Sequence, residues 1–325
     1  MSADLRDRIL ARERRALAKA ITLLESHSDD HRAQARALLD ALLPYSGNSL
    51  RVGVSGVPGA GKSTFIEALG MLLVERGHRV AVLAIDPSSH SSGGAILGDK
   101  TRMQHLAVHE HAFIRPSPSR GVLGGIGAHT RETMLVCEAA GFDIVLVETV
   151  GVGQSEVGVA NMTDVFVLLQ LPNAGDELQA MKKGVLELAD LIVVNKADLD
   201  AGAAERAQAQ LAGIAKLLRP HSGDWVPEVR LISATTGAGI DALWSRVLAC
   251  RDARQTDGTW ERRRRAQALD WMRHLIDQEL QRRFQDHPGV RAALESVSAS
   301  VANGETSASA GAARLIDLFA GKAPR

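Results

Sequence analysis

Aromatic residues are scarce, with one tyrosine, six phenylalanines and four tryptophans in 325 residues. A protein that stacks single-stranded bases needs such rings. An excess of one charge is also missing, because 38 Lys and Arg face 38 Asp and Glu. Together these argue against nucleic acid as a partner. No apolar run approaches the roughly 20 residues of a membrane-spanning helix, so no membrane segment is expected. The opening residues from Asp4 to Arg15 are charged where a secretory signal is apolar, which argues against a leader. Cysteine is nearly absent: Cys137 and Cys250 stand far apart inside apolar helical patterns. Packed thiols in a reducing, cytoplasmic protein are the expectation.

What is present centres on Gly56-Val57-Pro58-Gly59-Ala60-Gly61-Lys62-Ser63-Thr64. The stretch fits G-x-x-x-x-G-K-[ST], the phosphate-binding P-loop. A short apolar strand precedes it at 51–55, and a run with helical spacing at Phe65, Leu69, Leu72 and Leu73 follows. In that setting the glycines let backbone N–H groups turn toward phosphate oxygens, and the helix N-terminus adds partial positive charge. Lys62 is placed to bridge the β- and γ-phosphates and Ser63 to ligate Mg²⁺.

Around this motif the chain divides into three parts. Residues 1–46 have the apolar spacing of a helical hairpin, one helix reaching about Ser26 and a second starting near Asp30. Residues 47–257 alternate strand and helix patterns, with strands expected at 51–55, 79–85, 112–115, 143–148, 164–171, 190–195 and 228–233. Several of these are almost wholly apolar, as in Val80-Ala81-Val82-Leu83-Ala84-Ile85. Such runs suit strands covered on both faces, so an α/β fold with a doubly wound, mostly parallel sheet is predicted. Residues 258–325 read as helices, with the stripe Leu269, Met272, Leu275, Ile276 and Leu280 on the first of them. The basic run Arg262-Arg263-Arg264-Arg265 reads as a solvated helix face.

Two further segments carry nucleotide chemistry. Asn195-Lys196-Ala197-Asp198 follows an apolar strand and fits N-K-x-D. A carboxylate at Asp198 can accept from guanine N1–H and N2–H₂, a donor pair that adenine lacks. Asn195 can hold the base or the loop, and the Lys196 stem can cover the ring. Ser233-Ala234-Thr235 ends a later strand, where a backbone N–H can meet guanine O6. Glu148-Thr149-Val150-Gly151 ends another, with Glu148 placed for Mg²⁺ and Gly151 for the γ-phosphate. Asp86 closes the second strand, Asp99 lies in Leu97-Gly98-Asp99-Lys100-Thr101, and both are further candidates for the metal. The run between them looks like a switch. No glutamine follows Gly151 directly, and Gln154 comes three residues later, so a water-positioning glutamine is not assured. His105, His109 and His111 lack a neighbouring cysteine and read as a surface helix end rather than a metal tract.

These segments, with Asp86-Pro87-Ser88-Ser89, Gly98-Asp99-Lys100-Thr101-Arg102-Met103, Arg115-Pro116-Ser117 and Glu148 to Glu156, resemble the MeaB/ArgK group of P-loop GTPases, which includes the methylmalonic aciduria type A proteins. The likeness continues through residues 172–184 and covers nearly the whole chain. It implies a GTP-hydrolysing metallochaperone for an adenosylcobalamin-dependent acyl-CoA mutase, with the cobalamin carried by the mutase and an adenosyltransferase as a further partner. It implies a homodimer built through the C-terminal helical extension. It also implies that Asp176, Gln179 and Lys182 belong to a switch that couples nucleotide state to the mutase. Ala95 stands where the pattern has serine. Two other functions remain open on the residues: a nickel-insertion GTPase, which needs a His- or Cys-rich site, and a nucleotide-bound scaffold with little turnover.

Overall fold

The computed structural model describes residues 2–26, 28–86, 103–118, 129–149, 155–172, 183–217 and 225–322. Two compact units are formed, Met1–Glu261 and Arg262–Arg325. In the first, seven parallel strands make one sheet: β1 (Leu50–Gly56), β2 (Val80–Asp86), β3 (Ala112–Pro118), β4 (Ile144–Glu148), β5 (Val165–Gln170), β6 (Leu191–Val194) and β7 (Glu228–Leu231). Their order is β3-β2-β4-β1-β5-β6-β7. All seven strands coincide with those expected. Their near-continuous Val, Ile and Leu runs require cover on both faces, and parallel strands need helical crossovers to supply it.

The alternation of side chains along each strand divides the core in two. On one face Val52, Val54, Val82, Leu146 and Val167 pack against Phe65, Ile66 and Leu69 of α4 (Lys62–Glu75) and against Trp244 of the helix Ile240–Thr256. On the other face Leu83, Val145, Val147 and Phe166 meet Met134 and Cys137 of the helix Thr130–Ala139, with the N-terminal helices beyond. Cys137 and Cys250 are reduced and fully buried, and burial pushes the Cys137 thiol far above its ordinary value.

The N-terminal stripe expected to run as one helix to about Ser26 is divided into α1 (Ser2–Leu10) and α2 (Arg14–Leu24), followed by α3 (Asp29–Leu42). The break falls at Arg12, whose φ of 66° is left-handed. Glu13 N–H reaches back to the Arg8 carbonyl and Arg12 N–H to that of Ile9, which closes the end of α1. An apolar stripe survives the break because Leu5, Ile9, Leu17 and Ile21 all enter the same core. The lead-in is therefore three helices, not two.

The second unit contains most of the helix Thr259–Asp286, then Pro288–Ala302 and Ala308–Phe319. Val290, Val297 and Leu315 form its small core, with Phe284 and Phe319 packed against it. No helix among the described residues is long and apolar enough to cross a membrane.

Candidate functional site

β1 stands at the centre of the sheet, and the chain winds outward from it in both directions. Such a reversal opens a crevice at the carboxyl ends of the strands, where α/β proteins bind ligands. The P-loop leaves β1 there. Gly61 takes φ 85°, and a Cβ on it would lie 2.6 Å from Asn195 Nδ2. The loop can approach Asn195 only because no side chain intervenes. Gly56 and Ala60 are buried, while Pro58, Gly59 and Thr64 face solvent. Lys62 is also buried, and its Nζ donates to the Gly56 carbonyl at 2.8 Å and to the Val57 carbonyl at 3.4 Å. Its ammonium is thereby held over the mouth of the loop.

The metal candidates begin with Ser63 and Glu148. Ser63 Oγ donates to Glu148 Oε1 at 3.0 Å, although 85 positions separate them in the chain. Glu148 ends β4 and is buried. Two oxygen ligands, one from the first turn of α4 and one from the end of β4, are the type that a hard divalent cation takes. Asp86 ends β2 beside β4, so its backbone shares the same edge of the sheet. Its side chain lies outside the described residues, as do Asp99, Gly151, Asp176, Gln179 and Lys182.

The base-reading candidates are brought to the same edge. Asn195, 1% exposed, donates from Nδ2 to the Ala60 carbonyl at 2.7 Å. Its Oδ1 accepts from Ala234 N–H at 2.9 Å. One side chain thus ties the P-loop to the Ser233-Ala234-Thr235 turn. Of the two uses open to Asn195, the structure shows the loop. Lys196 takes a left-handed φ of 61°, which turns the chain so that Asp198 emerges into solvent. Ser233 and Ala234 are buried and Thr235 is exposed. Ser233 Oγ accepts from Thr236 N–H at 3.2 Å and holds the turn.

A pair that sequence reasoning did not single out also braces the site. Thr149 Oγ1 donates to Ser55 Oγ at 2.8 Å, and Thr149 N–H reaches the Val54 carbonyl. The bond fixes the chain leaving β4 against the chain entering the P-loop. Thr149 sits inside the Glu148 motif and Ser55 directly before the P-loop, so adjacency to two motifs was the available signal. His105 proves to be tethered to Glu67 of α4: its N–H donates to Glu67 Oε1 at 2.8 Å. Among the described residues no group of three or more His, Cys, Asp or Glu could hold a metal ion.

Comparison with known proteins follows the same lines. A family model described as methylmalonyl Co-A mutase-associated GTPase MeaB matches residues 17–289. The GTPase ArgK of Escherichia coli is 50% identical over 269 residues, covering 82% of this chain and 81% of that protein. The methylmalonic aciduria type A homolog, mitochondrial, of Mus musculus is 44% identical over 318 residues, covering 94% of this chain and 77% of that protein. A crystal structure described as LAO/AO transport system kinase superposes with a TM-score of 0.77 at 38% identity, covering 98% of this chain and 97% of the other.

Proposed function

The chain belongs to the MeaB family of methylmalonyl-CoA mutase-associated GTPases, and on that premise we propose that it hydrolyses GTP to gate delivery of adenosylcobalamin to an acyl-CoA mutase and to protect or reactivate that mutase. The observation that carries this reading is the double tie of Asn195 to Ala60 and Ala234. It makes the base-reading turn and the phosphate loop one rigid body, so a guanine held at one end positions the phosphates at the other.

In this reading Asp198 pairs with the guanine edge, Lys196 covers the ring, and the Ser233–Thr235 turn offers a backbone N–H to O6. The backbone of residues 56–64 cradles the phosphates. Phosphate oxygens compete with the Gly56 and Val57 carbonyls for the Lys62 ammonium. Ser63 and Glu148, with Asp86 and Asp99, would hold magnesium, whose charge stabilises the phosphoryl group in transfer. Gly151 senses the γ-phosphate. Asp176, Gln179 and Lys182 transmit nucleotide state to the mutase, which itself carries the cobalamin, and an adenosyltransferase is a further partner.

The assembly is a cytoplasmic homodimer. Its division of labour follows residues 1–46, 47–257 and 258–325, the last forming the dimer arm. Support for the arm comes from Leu269, Met272, Ile276 and Leu280, each about half exposed on one helix.

The test measures GTP turnover by the full-length protein with and without the cognate mutase. Alone it should be slow, on the order of 10⁻⁴–10⁻² s⁻¹, as for GTPases that no activating partner assists. The mutase should raise the rate, and Lys182→Ala or Gln179→Ala should blunt the rise. A rate indifferent to the mutase would refute the coupling, and equal use of ATP would refute the guanine assignment.

A further inference from the structure

We propose that Ser55 and Thr149 are positioning residues for GTP hydrolysis, and that the hydrogen bond between them aims the Glu148 carboxylate at the magnesium site. The inference rests on the magnesium-dependent GTPase reading above. β1 and β4 pair in parallel as far as Val54 opposite Glu148. Among the described residues their backbone pairing ends at that point. β1 runs on beside β5, to Gly56 opposite Leu169. Gly56 takes a φ of 153°, and a Cβ on it would stand 2.5 Å from the Leu169 carbonyl oxygen. The strand thus hugs β5 as it enters the P-loop and turns away from β4. Thr149 closes the seam that opens there. Its N–H donates to the Val54 carbonyl at 2.9 Å, and its Oγ1 donates to Ser55 Oγ at 2.8 Å. A side-chain bond takes the place of the next rung of the ladder.

Successive side chains of a strand point to opposite faces, so Glu148 and Thr149 are held from opposite sides. On the side of α4, Glu148 Oε1 accepts from Ser63 Oγ at 3.0 Å. Val54 packs on that same side with Phe65 and Ile66, which leaves Ser55 to the other. There it meets Thr149. Both residues are 1% exposed, so bulk water does not compete for the bond. Removing one member leaves a buried hydroxyl without its partner, which the local backbone must then move to satisfy. Threonine is branched at Cβ and stiff at χ1, so a fixed Oγ1 fixes the backbone of residue 149. One rigid peptide plane carries that position to the Cα of Glu148. Neither bond to β1 uses a proposed ligand of the cation, so neither has to break when Ser63 and Glu148 turn to it. Ligating side chains work only when held within about 0.5 Å of the productive geometry. A misplacement of about 1 Å costs on the order of 100-fold in rate.

The test compares the full-length wild type with Thr149→Val, Ser55→Ala, the double variant and Thr149→Ser. Affinity for a fluorescent GDP is measured in EDTA and in Mg²⁺, and turnover at saturating GTP and Mg²⁺. In EDTA every variant should bind GDP within about twofold of the wild type, because the P-loop itself is intact. The tightening that Mg²⁺ brings should shrink at least fivefold in Thr149→Val and in Ser55→Ala, and kcat should fall at least tenfold. The double variant should be no worse than either single one, because both remove the same bond. Thr149→Ser keeps the hydroxyl and should stay near the wild type on both measures. Valine has the shape of threonine, so Thr149→Val against Thr149→Ser decides the question even if Ser55→Ala folds poorly. The proposal is overturned if the two single variants match the wild type in magnesium effect and kcat, or if their losses multiply in the double variant. Thr149→Ser as impaired as Thr149→Val, or a wild type whose GDP affinity ignores Mg²⁺, would overturn it as well. A wild type that tightens on GDP with Mg²⁺ yet hydrolyses no GTP would instead refute the GTPase reading, and the magnesium effect would still judge the pair.

Discussion

Glu138 lies 5% exposed, with the Arg51 guanidinium bound to it by two hydrogen bonds of 2.7 and 2.9 Å. Burial draws its carboxyl upward. The Arg51 hydrogen bonds and charge, with Ser49 Oγ–H and Gly47 N–H, overcome that and hold it below its ordinary value. A carboxyl depressed in the folded state binds its proton more readily when unfolded. Its contribution is therefore complete above the ordinary glutamate value of 4.5 and is lost as pH falls through the lower folded value. Glu138→Gln should cost about 3–5 kcal/mol at pH 7, because Arg51 is left buried and uncompensated. The gap to wild type should narrow as pH drops below the ordinary glutamate range, as read from urea unfolding at several pH values. A gap independent of pH would show that Glu138 acts by shape alone. Residues of this kind were invisible in the sequence: 87 positions separate Arg51 from Glu138, and nothing local marks either. Lys62, Ser63, Asn195 and Asp198 stand out in the sequence as candidates because the phosphate and base chemistry proposed for them needs fixed short spacing. Glu148 was legible by its place at a strand end. The partner that Asn195 holds was not, since its choice between base and loop depends on how closely Gly61 approaches.

At the scale of elements, the strands were read correctly because buried parallel strands leave almost unbroken apolar runs. The split between α1 and α2 was hidden because helical periodicity carried through the turn and Arg12 is no turn residue by type. A left-handed arginine there costs roughly 1–2 kcal/mol against the right-handed alternative, and only the closure of the helix end by Glu13 and Arg12 N–H groups shows why it is tolerated. The P-loop gives the sharper prediction. Gly61→Ala meets both a left-handed φ of 85° and a contact of 2.6 Å with Asn195 Nδ2. The loop must shift away from Asn195, which loosens the tie to Ala60. GDP affinity should fall by more than tenfold, or over about 1.4 kcal/mol, as measured by titration of a fluorescent guanine nucleotide. Unchanged affinity would mean that the tie does not set the shape of the loop.

For the whole molecule, the helix Thr259–Asp286 leaves Leu269, Met272, Leu275, Ile276 and Leu280 between 37% and 52% exposed. A contiguous apolar stripe of this kind marks an interaction surface. The stripe was plain in the sequence, but its exposure was not, because periodicity alone says nothing about what covers a face. If the proposed dimer forms through this stripe, the wild type should sediment as a dimer and Ile276→Glu with Leu280→Glu as a monomer in analytical ultracentrifugation, while GDP affinity stays within about twofold, a change worth under 0.5 kcal/mol. A dimer that survives both changes would place the interface elsewhere. The central position of β1 has a consequence of another kind, for the route by which the chain folds. Among the described strands β1 is the first made, and its partners there are β4 and β5. Ser55 and Thr149, bonded across the first of those seams, are 94 residues apart. At translation speeds of roughly 5–20 residues per second, β1 waits on the order of 5–20 s without its neighbours. Pairings of such long range also close slowly, because the entropy of the intervening loop is lost before any contact rewards it. The strand that opens the nucleotide site is therefore made first and secured late. Refolding from urea should show the tryptophan signal of Trp244, packed against the same sheet, recovering before nucleotide binding does.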